Sequence, residues 1–141
     1  MSLDMAPLAA RLEAVDGLAG RVEVCARAAD ALAQHRTGPF CWLCELRGES
    51  GESQTANRVS QRRRQRFSTL TLVSRAGDAS GAQGLAASGL LRAGVSAALL
   101  GFVPAPGWSA VVHLRDIIVA RQDGKLYWLD EWTADHQLRS L

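Results

Sequence analysis

The chain has 141 residues, of which 48% are hydrophobic and 21% are charged, and its formal net charge is +2. This length fits one domain over residues 1–141, and the composition excludes both a disordered chain and a chain built of membrane spans. The small net charge excludes a nucleic-acid binder that works through a large basic surface, because such proteins carry a strong excess of lysine and arginine.

The first twenty residues lack the features of an export signal or a membrane anchor. No basic segment precedes an apolar run, and Arg11, Glu13 and Asp16 interrupt the apolar residues. We therefore expect a protein that stays in the cytoplasm where it is made and has no membrane partner. In that compartment three cysteines, an odd number, are expected to be reduced thiols.

Hydrophobic periodicity predicts two helices and two short strands in the first third of the chain. The repeat of Leu8, Leu12 and Val15 predicts an amphipathic helix within 3–15. Alternation over 21–25 predicts a half-buried strand, and the composition of 28–34 favours a second helix. Gly38-Pro39 ends that helix, and the compact apolar run 40–46 predicts a second strand because of its aromatic residues.

The segment 47–57 is predicted to be an exposed loop, because it contains no hydrophobic residue before Ala56 and so cannot offset the entropy of ordering. We expect it to be mobile in the isolated subunit and to order at an interface. Its candidate interface residues are Gly48, Glu49, Glu52, Gln54 and Asn57.

The rest of the chain is predicted to contain a long strand, a helix and a hairpin. The strand covers 58–75, and the strongest helical pattern covers 85–100, where Gly89 and Gly94 indicate close packing against a sheet. Asp123-Gly124 lies between the apolar runs 111–120 and 125–133, which is a strong hairpin signal. The order α-β-α-β-β-α-β-β predicts an α+β fold, with a mostly antiparallel sheet and helices packed on one face.

Four arginines are concentrated in the long predicted strand: Arg62, Arg63, Arg64 and Arg66. Because side chains alternate along a strand, Arg62, Arg64 and Arg66 share one face and Arg63 lies on the other. Three interpretations remain open. The strand is a solvated edge protected from aggregation by its charges, it pairs with acidic residues of a neighbouring subunit, or it forms a basic wall facing DNA.

Cys41 and Cys44 have the spacing of a metal knuckle or a redox dithiol, but no matching second pair is present. Strand positions three apart point to opposite faces, so the two sulfur atoms would not converge on one ion. The other candidate ligands are scattered: Cys25, His35, His113 and His136. We predict no metal, no cofactor and no catalytic residue, since the sequence also lacks a nucleophile elbow, a phosphate-binding loop and a His-Glu-x-x-His motif. The acidic residues of the final hairpin are interpreted as solvated edge and turn residues.

Tryptophans cluster near the end of the chain. Trp128 and Trp132 lie four positions apart and therefore on the same face of the last predicted strand. Core packing explains the cluster, and a partner-facing apolar surface that uses Trp108 and Trp132 is the alternative.

Taken in order, several stretches resemble the tail terminator proteins of long-tailed phages and of Mu-like and lambda-like prophages. They are LAARLEAV in the first helix, Pro39-Phe40 before the polar loop with Asn57, Gln61-Arg62, Leu91-Arg92, the Leu-Leu-Gly-Phe-Val-Pro of 99–104, and the closing hairpin 123–132. Together they span nearly the whole chain.

The resemblance implies a structural virion protein and not an enzyme. Such a protein forms a ring, usually of six copies, that caps the finished tail tube, stops its polymerisation and offers a docking face to the head connector. The implied partners are copies of the chain itself, the tail tube protein, the head-tail connector protein, and DNA that passes through the lumen without sequence-specific binding. The implied location is the virion, with assembly in the host cytoplasm.

One departure concerns the run Arg62-Arg63-Arg64, which is more basic than the family pattern, so no role is carried over to it. Three alternative functions stay open. One is a head-tail connector or neck protein, and another is a small nucleic-acid-binding module that uses Arg62 to Arg66. The third is a thiol enzyme that uses Cys41 and Cys44.

Overall fold

The computed structural model describes residues 3–50, 60–75, 80–122 and 124–139. Within these ranges the elements follow the predicted order α-β-α-β-β-α-β-β. They are α1 (Ala6–Glu13), β1 (Val22–Val24), α2 (Ala28–Leu32), β2 (Phe40–Ser50), β3 (Ser60–Ser74), α3 (Ala82–Leu99), β4 (Val112–Gln122) and β5 (Lys125–Arg139). None of the described helices combines the length and the apolar character needed to cross a membrane.

The five strands of the described ranges form one sheet in the order β1-β2-β3-β5-β4. Only β1 and β2 pair in parallel, so the predicted α+β class with a mostly antiparallel sheet is confirmed. The interpretation of the arginine-rich strand as an edge is wrong, because β3 is the middle strand and pairs with β2 and β5. The outer strands are β1 and β4.

β2 has apolar side chains at consecutive positions, so both faces of the strand must be buried against other elements. Cys41 and Leu43 pack with buried residues of α1 and α3, which defines the α3 face of the sheet. Trp42 and Cys44 pack with alanines of α2, which defines the α2 face. The prediction that all helices lie on one face is therefore wrong for α2, whereas the prediction that the two cysteines point to opposite faces is confirmed.

α3 packs closely at Gly94 against the turn that follows α1. A Cβ atom added there would lie 2.8 Å from Val15 Cγ1, so the absence of a side chain permits the contact. The predicted close packing of Gly89 and Gly94 against the sheet is thus wrong, because Gly94 faces Val15 in the turn after α1 and a Cβ at Gly89 would meet open space.

The predicted loop 47–57 begins later than expected. Residues Arg47 to Ser50 continue β2 and pair with Arg66 to Arg63 of β3, which places Gly48 and Glu49 in a strand. Backbone hydrogen bonds hold this part of the ladder without apolar side chains. Glu52, Gln54 and Asn57 lie outside the described residues.

β3 and β5 continue beside the end of β2, and their pairing runs on to Ser60 and Arg139. We call this part of the sheet, residues 47–50, 60–66 and 133–139, the sheet extension. Both predicted strands of the final hairpin are also longer than expected, because β4 reaches Gln122 and β5 reaches Arg139.

Candidate assembly surfaces

Arg62, Arg64 and Arg66 lie on the α2 face of the sheet extension. The alternation is fixed by their neighbours in β3, because Phe67 packs on the α3 face and Leu70 packs on the α2 face. The predicted sharing of one face by these three arginines is confirmed. Arg47 lies opposite Arg66 in the ladder and therefore joins the same face.

Carboxylates of the same subunit contact all three of these arginines. The oxygens of Asp135 lie 3.9 Å from Arg62 Nη1 and 3.4 Å from Arg64 Nε, while Glu49 lies 3.8 Å from Arg66 Nη2. Among the described side chains of this face, four arginines including Arg47 face two carboxylates, which leaves two positive charges in excess. Such exposed pairs contribute about 1 kcal/mol or less each, so the arginines can be drawn to another anionic group.

Arg63 is separated from the other three arginines. Its guanidinium lies against Gly48 of β2, where an added Cβ would overlap it. In the amide orientation that satisfies both groups, the Gln65 side-chain oxygen accepts hydrogen bonds from Arg63 Nε at 2.7 Å and Nη2 at 3.2 Å. Arg63 therefore contacts the β2–β3 ladder on the α3 face. It does not belong to the basic surface on the α2 face, which consists of Arg47, Arg62, Arg64 and Arg66.

Both tryptophans named as partner-facing candidates are buried. The Trp132 indole N–H donates to Thr69 Oγ1 at 3.0 Å, and the ring of Trp108 packs on His136 with 4.8 Å between centroids. The partner-facing interpretation is wrong for this subunit, because both rings belong to the core that α1 and α3 cover. Trp128 and Trp132 do share the α3 face, as predicted.

A buried ion pair connects α3 to the sheet on the same face. Asp130 of β5 accepts two hydrogen bonds from Arg92, from Nε at 2.9 Å and from Nη2 at 2.8 Å. His113 Nε2 lies 2.9 Å from Asp130 Oδ1, and the Arg92 guanidinium also covers the ring of Trp128 at 4.2 Å. The hydrogen bonds with Asp130 raise the pKa of Arg92. The interpretation of the hairpin carboxylates as solvated groups is therefore wrong for Asp130.

The sequence did contain a signal for this burial. Asp130 lies two residues from Trp128 and two from Trp132, so it shares their face of the strand. A carboxylate between two core tryptophans requires a cation, and Arg92 is the only charged residue of α3.

Asp130, His113 and Asp116 also lie close enough to share a metal ion, since their ligating atoms are within 4.8 Å of one another. Both oxygens of Asp130 already accept from Arg92, and Arg92 Nη2 lies 3.4 Å from Asp116 Oδ1. A divalent cation at this site would be repelled by the positive charge of the Arg92 guanidinium. The donor set fits an ion-pair network better than a metal centre.

The two cysteines of the predicted dithiol do not form a site. Burial raises the pKa of the Cys41 thiol, and Cys44 lies on the opposite face with its Sγ 3.3 Å from Ser68 Oγ. A raised pKa keeps the thiol protonated and weakens it as a nucleophile.

The outer strand β4 combines a free edge with exposed apolar side chains on both faces. β5 pairs with one side of β4, and no strand in the described ranges pairs with the other. Ile117, which is 62% exposed, lies on the α2 face with Val112, and Ile118 lies on the α3 face. Leu114 and Val119 are exposed at two interruptions of the ladder. Such an edge is a template for pairing with another chain.

Charges on β4 do little to protect this edge. Arg115 pairs with Glu131 of β5, and Asp116 accepts a hydrogen bond from the Trp128 indole at 3.1 Å. Sequence reasoning placed this strand but did not identify its exposure, because the alternation of a strand does not reveal whether a helix covers each face.

A family model for phage tail terminator protein matches residues 1–140. Among solved structures, a chain described as part of the virion of a native gene transfer agent (GTA) particle is similar, with a TM-score of 0.66 and 18% identity. The alignment covers 97% of this chain and 96% of that one, and at this identity it shows a common fold. The search of curated proteins gave no significant match. The chain belongs to the phage tail terminator family, and it is a structural protein of a phage tail and not an enzyme.

Proposed function

We propose that copies of this chain form a closed ring, of about six subunits as in the family it resembles, that caps the tail tube. The ring stops polymerisation of the tube protein and gives the head-tail connector protein a surface on which to dock. The observation that carries the proposal is β4, an outer strand whose far edge pairs with no described strand and whose apolar side chains are exposed on both faces.

Leaving the apolar side chains of β4 exposed to water costs free energy. Full burial of a side chain such as Ile117 contributes about 1.5 to 3 kcal/mol, and β4 exposes several of this kind. Association has entropic costs of comparable size, so a partner gains net free energy only when backbone pairing and other contacts add to the burial of these side chains. Closure of a ring satisfies every such edge and prevents open-ended aggregation.

The basic surface of the sheet extension supplies a second contact in this proposal. Arg62, Arg64 and Arg66 retain an excess of positive charge after pairing within the subunit. We assign this surface to acidic groups of the neighbouring subunit or of the tube protein. A position facing the lumen, through which DNA passes without sequence-specific contacts, is the competing arrangement. The ring assembles in the host cytoplasm and becomes part of the virion.

The test removes the gene from the phage or prophage that encodes this chain and supplies the protein in trans. Electron microscopy of negatively stained particles measures the distribution of tail lengths and the fraction of tails joined to heads. The proposal predicts overlong, unjoined tails without the protein and one uniform length with it. Tails of normal length that lack heads would instead indicate the head-tail connector or neck alternative.

A further inference from the structure

We propose that neighbouring copies join by strand addition, with β4 of one copy pairing antiparallel to the outer edge of β2 residues Arg47 to Ser50 of the next. The sheets then run on from subunit to subunit. This inference rests on the proposed ring and names the surfaces that close it.

The chain offers two free sheet edges of useful length within the described residues. One is β4 along its whole outer side. The other is β2 from Arg47 to Ser50, which has β3 on one side and no described strand on the other, because β1 pairs only with Cys41 to Leu43. β1 itself offers three residues, and its Glu23 is bound by Arg36 at 3.0 Å, which leaves β2 as the better edge.

Strand direction makes these two edges compatible. β3 runs opposite to β2, β5 opposite to β3, and β4 opposite to β5, so β4 and β2 run in opposite directions. Rotation about a ring axis to which the strands are tilted preserves these directions. The tilt is needed because the ladder places Arg115 level with Cys44 and Ile117 level with Trp42. β4 therefore reaches Arg47 to Ser50 of the next copy through a stagger along the strands, as in a closed barrel. β4 therefore meets the next β2 as an antiparallel pair, without inversion of either subunit. Pairing of β4 with a second β4 would require a two-fold axis and would end at a dimer.

The charged and apolar side chains of the two strand edges are also complementary across this junction. The α2 face presents Arg115 on β4 and Glu49 on β2, and both side chains are more than half exposed. The most exposed apolar side chain on that face of β4, Ile117, would be covered by the aliphatic stem of the neighbour's Arg47. The backbone of the four β2 residues supplies the hydrogen bonds, as in other cases of strand addition.

The test is disulfide cross-linking in a Cys25→Ser background, since Cys41 and Cys44 are buried. Cysteine replaces Arg115 or Ile117 on β4 together with Arg47 or Glu49 on β2, all on the α2 face. Antiparallel neighbours on one face have the Cα separation that a disulfide needs. The four double variants sample three registers of the junction.

The matched control replaces Ile118 in place of Ile117, because Ile118 lies on the α3 face while Arg47 and Glu49 lie on the α2 face. We expect at least one same-face pair to give a ladder of covalent oligomers that ends at the ring size, and the opposite-face pairs to give no ladder. The reaction is run on the assembled ring and, for protein that is monomeric alone, on virions complemented in trans.

Two outcomes would overturn the inference. One is covalent dimers from Ile117→Cys alone, which would show β4 pairing with β4. The other is the absence of cross-links from every same-face pair in rings that still give normal tails, which would leave the proposed function standing. Wild-type chain that forms no ring in solution or in virions would remove both proposals together.

Discussion

Arg92 of α3 holds Asp130 of β5 through two parallel hydrogen bonds, from Nε at 2.9 Å and Nη2 at 2.8 Å. The carboxylate is almost fully buried, so the pair ties the long helix to the face of the sheet next to β4. Loss of one partner leaves the other charge poorly compensated in a low-dielectric environment, which costs more than the pair contributes as a whole.

We expect Asp130→Asn to lower the free energy of unfolding by about 2 to 4 kcal/mol, because Arg92 would lose its charged acceptor inside the protein. Urea denaturation followed by circular dichroism measures the change. Asp135→Asn is the matched control, since its arginine partners are exposed, and it should cost about 1 kcal/mol or less. Equal losses for the two variants would contradict the structural role assigned to the Arg92–Asp130 pair.

Two glycine substitutions should have opposite effects on stability. A Cβ at Gly38 would lie 2.5 Å from the Leu72 carbonyl oxygen and 2.6 Å from Val73 Cα, so the backbone of β3 would have to move. We expect Gly38→Ala to destabilise the fold by about 3 kcal/mol. Gly89→Ala should stabilise the subunit by about 0.5 to 1 kcal/mol, because its Cβ meets open space in a helix. Melting temperatures of both variants measure this, and a stable Gly38→Ala protein would refute the packing described for β3.

Replacement of Arg62, Arg64 and Arg66 together by Gln should leave the fold intact and abolish ring formation or tube capping. The fold survives because Arg62 and Arg64 are exposed, Arg66 is half-buried, and their ion pairs are weak. Tail lengths in complemented phage measure the effect.

The control for this triple change removes three charges elsewhere, through Gln at Arg27, Arg36 and Arg75, and should preserve normal tails. If the triple variant at Arg62, Arg64 and Arg66 complements fully, the surface is only solvated. If it assembles but loses salt-sensitive retention of DNA, these arginines face the lumen.

Protein purified without chelators should contain much less than one zinc per chain. Both Asp130 oxygens accept from Arg92, and Cys41 and Cys44 lie on opposite faces of β2, so neither set of donors is available to an ion. Elemental analysis tests this, and the Asp130→Asn variant separates binding at that cluster from binding elsewhere. One equivalent of zinc lost with Asp130→Asn would show that the cluster binds metal.

The element order was predictable because hydrophobic periodicity reports local structure directly. Strand order was not, since the chain passes from β3 through α3 to β4 before β5 returns beside β3, and nothing local distinguishes a central strand from an edge. The charges of the β3 arginines therefore predicted an edge strand, although β3 is the middle strand of the described sheet. Position in the sheet is set by tertiary pairing.

The burial of side chains was likewise predictable where it depends on local structure and unpredictable where it depends on tertiary packing. Alternation correctly separated Cys41 from Cys44 and placed Trp128 with Trp132, because a strand has a fixed period. It could not reveal that α2 covers the other face or that β4 keeps exposed apolar side chains on both faces. Those facts depend on which helix reaches which strand.

The most direct test of the assembly account is the mass of the wild-type protein and of Ile117→Lys, measured by light scattering after size exclusion in the presence of tube protein. Val103→Lys is the control, because Val103 is also exposed but lies outside the sheet. Assembly through β4 predicts a closed ring for the wild-type chain and for Val103→Lys, and a folded monomer for Ile117→Lys. A ring of unchanged mass from Ile117→Lys would contradict assembly through β4.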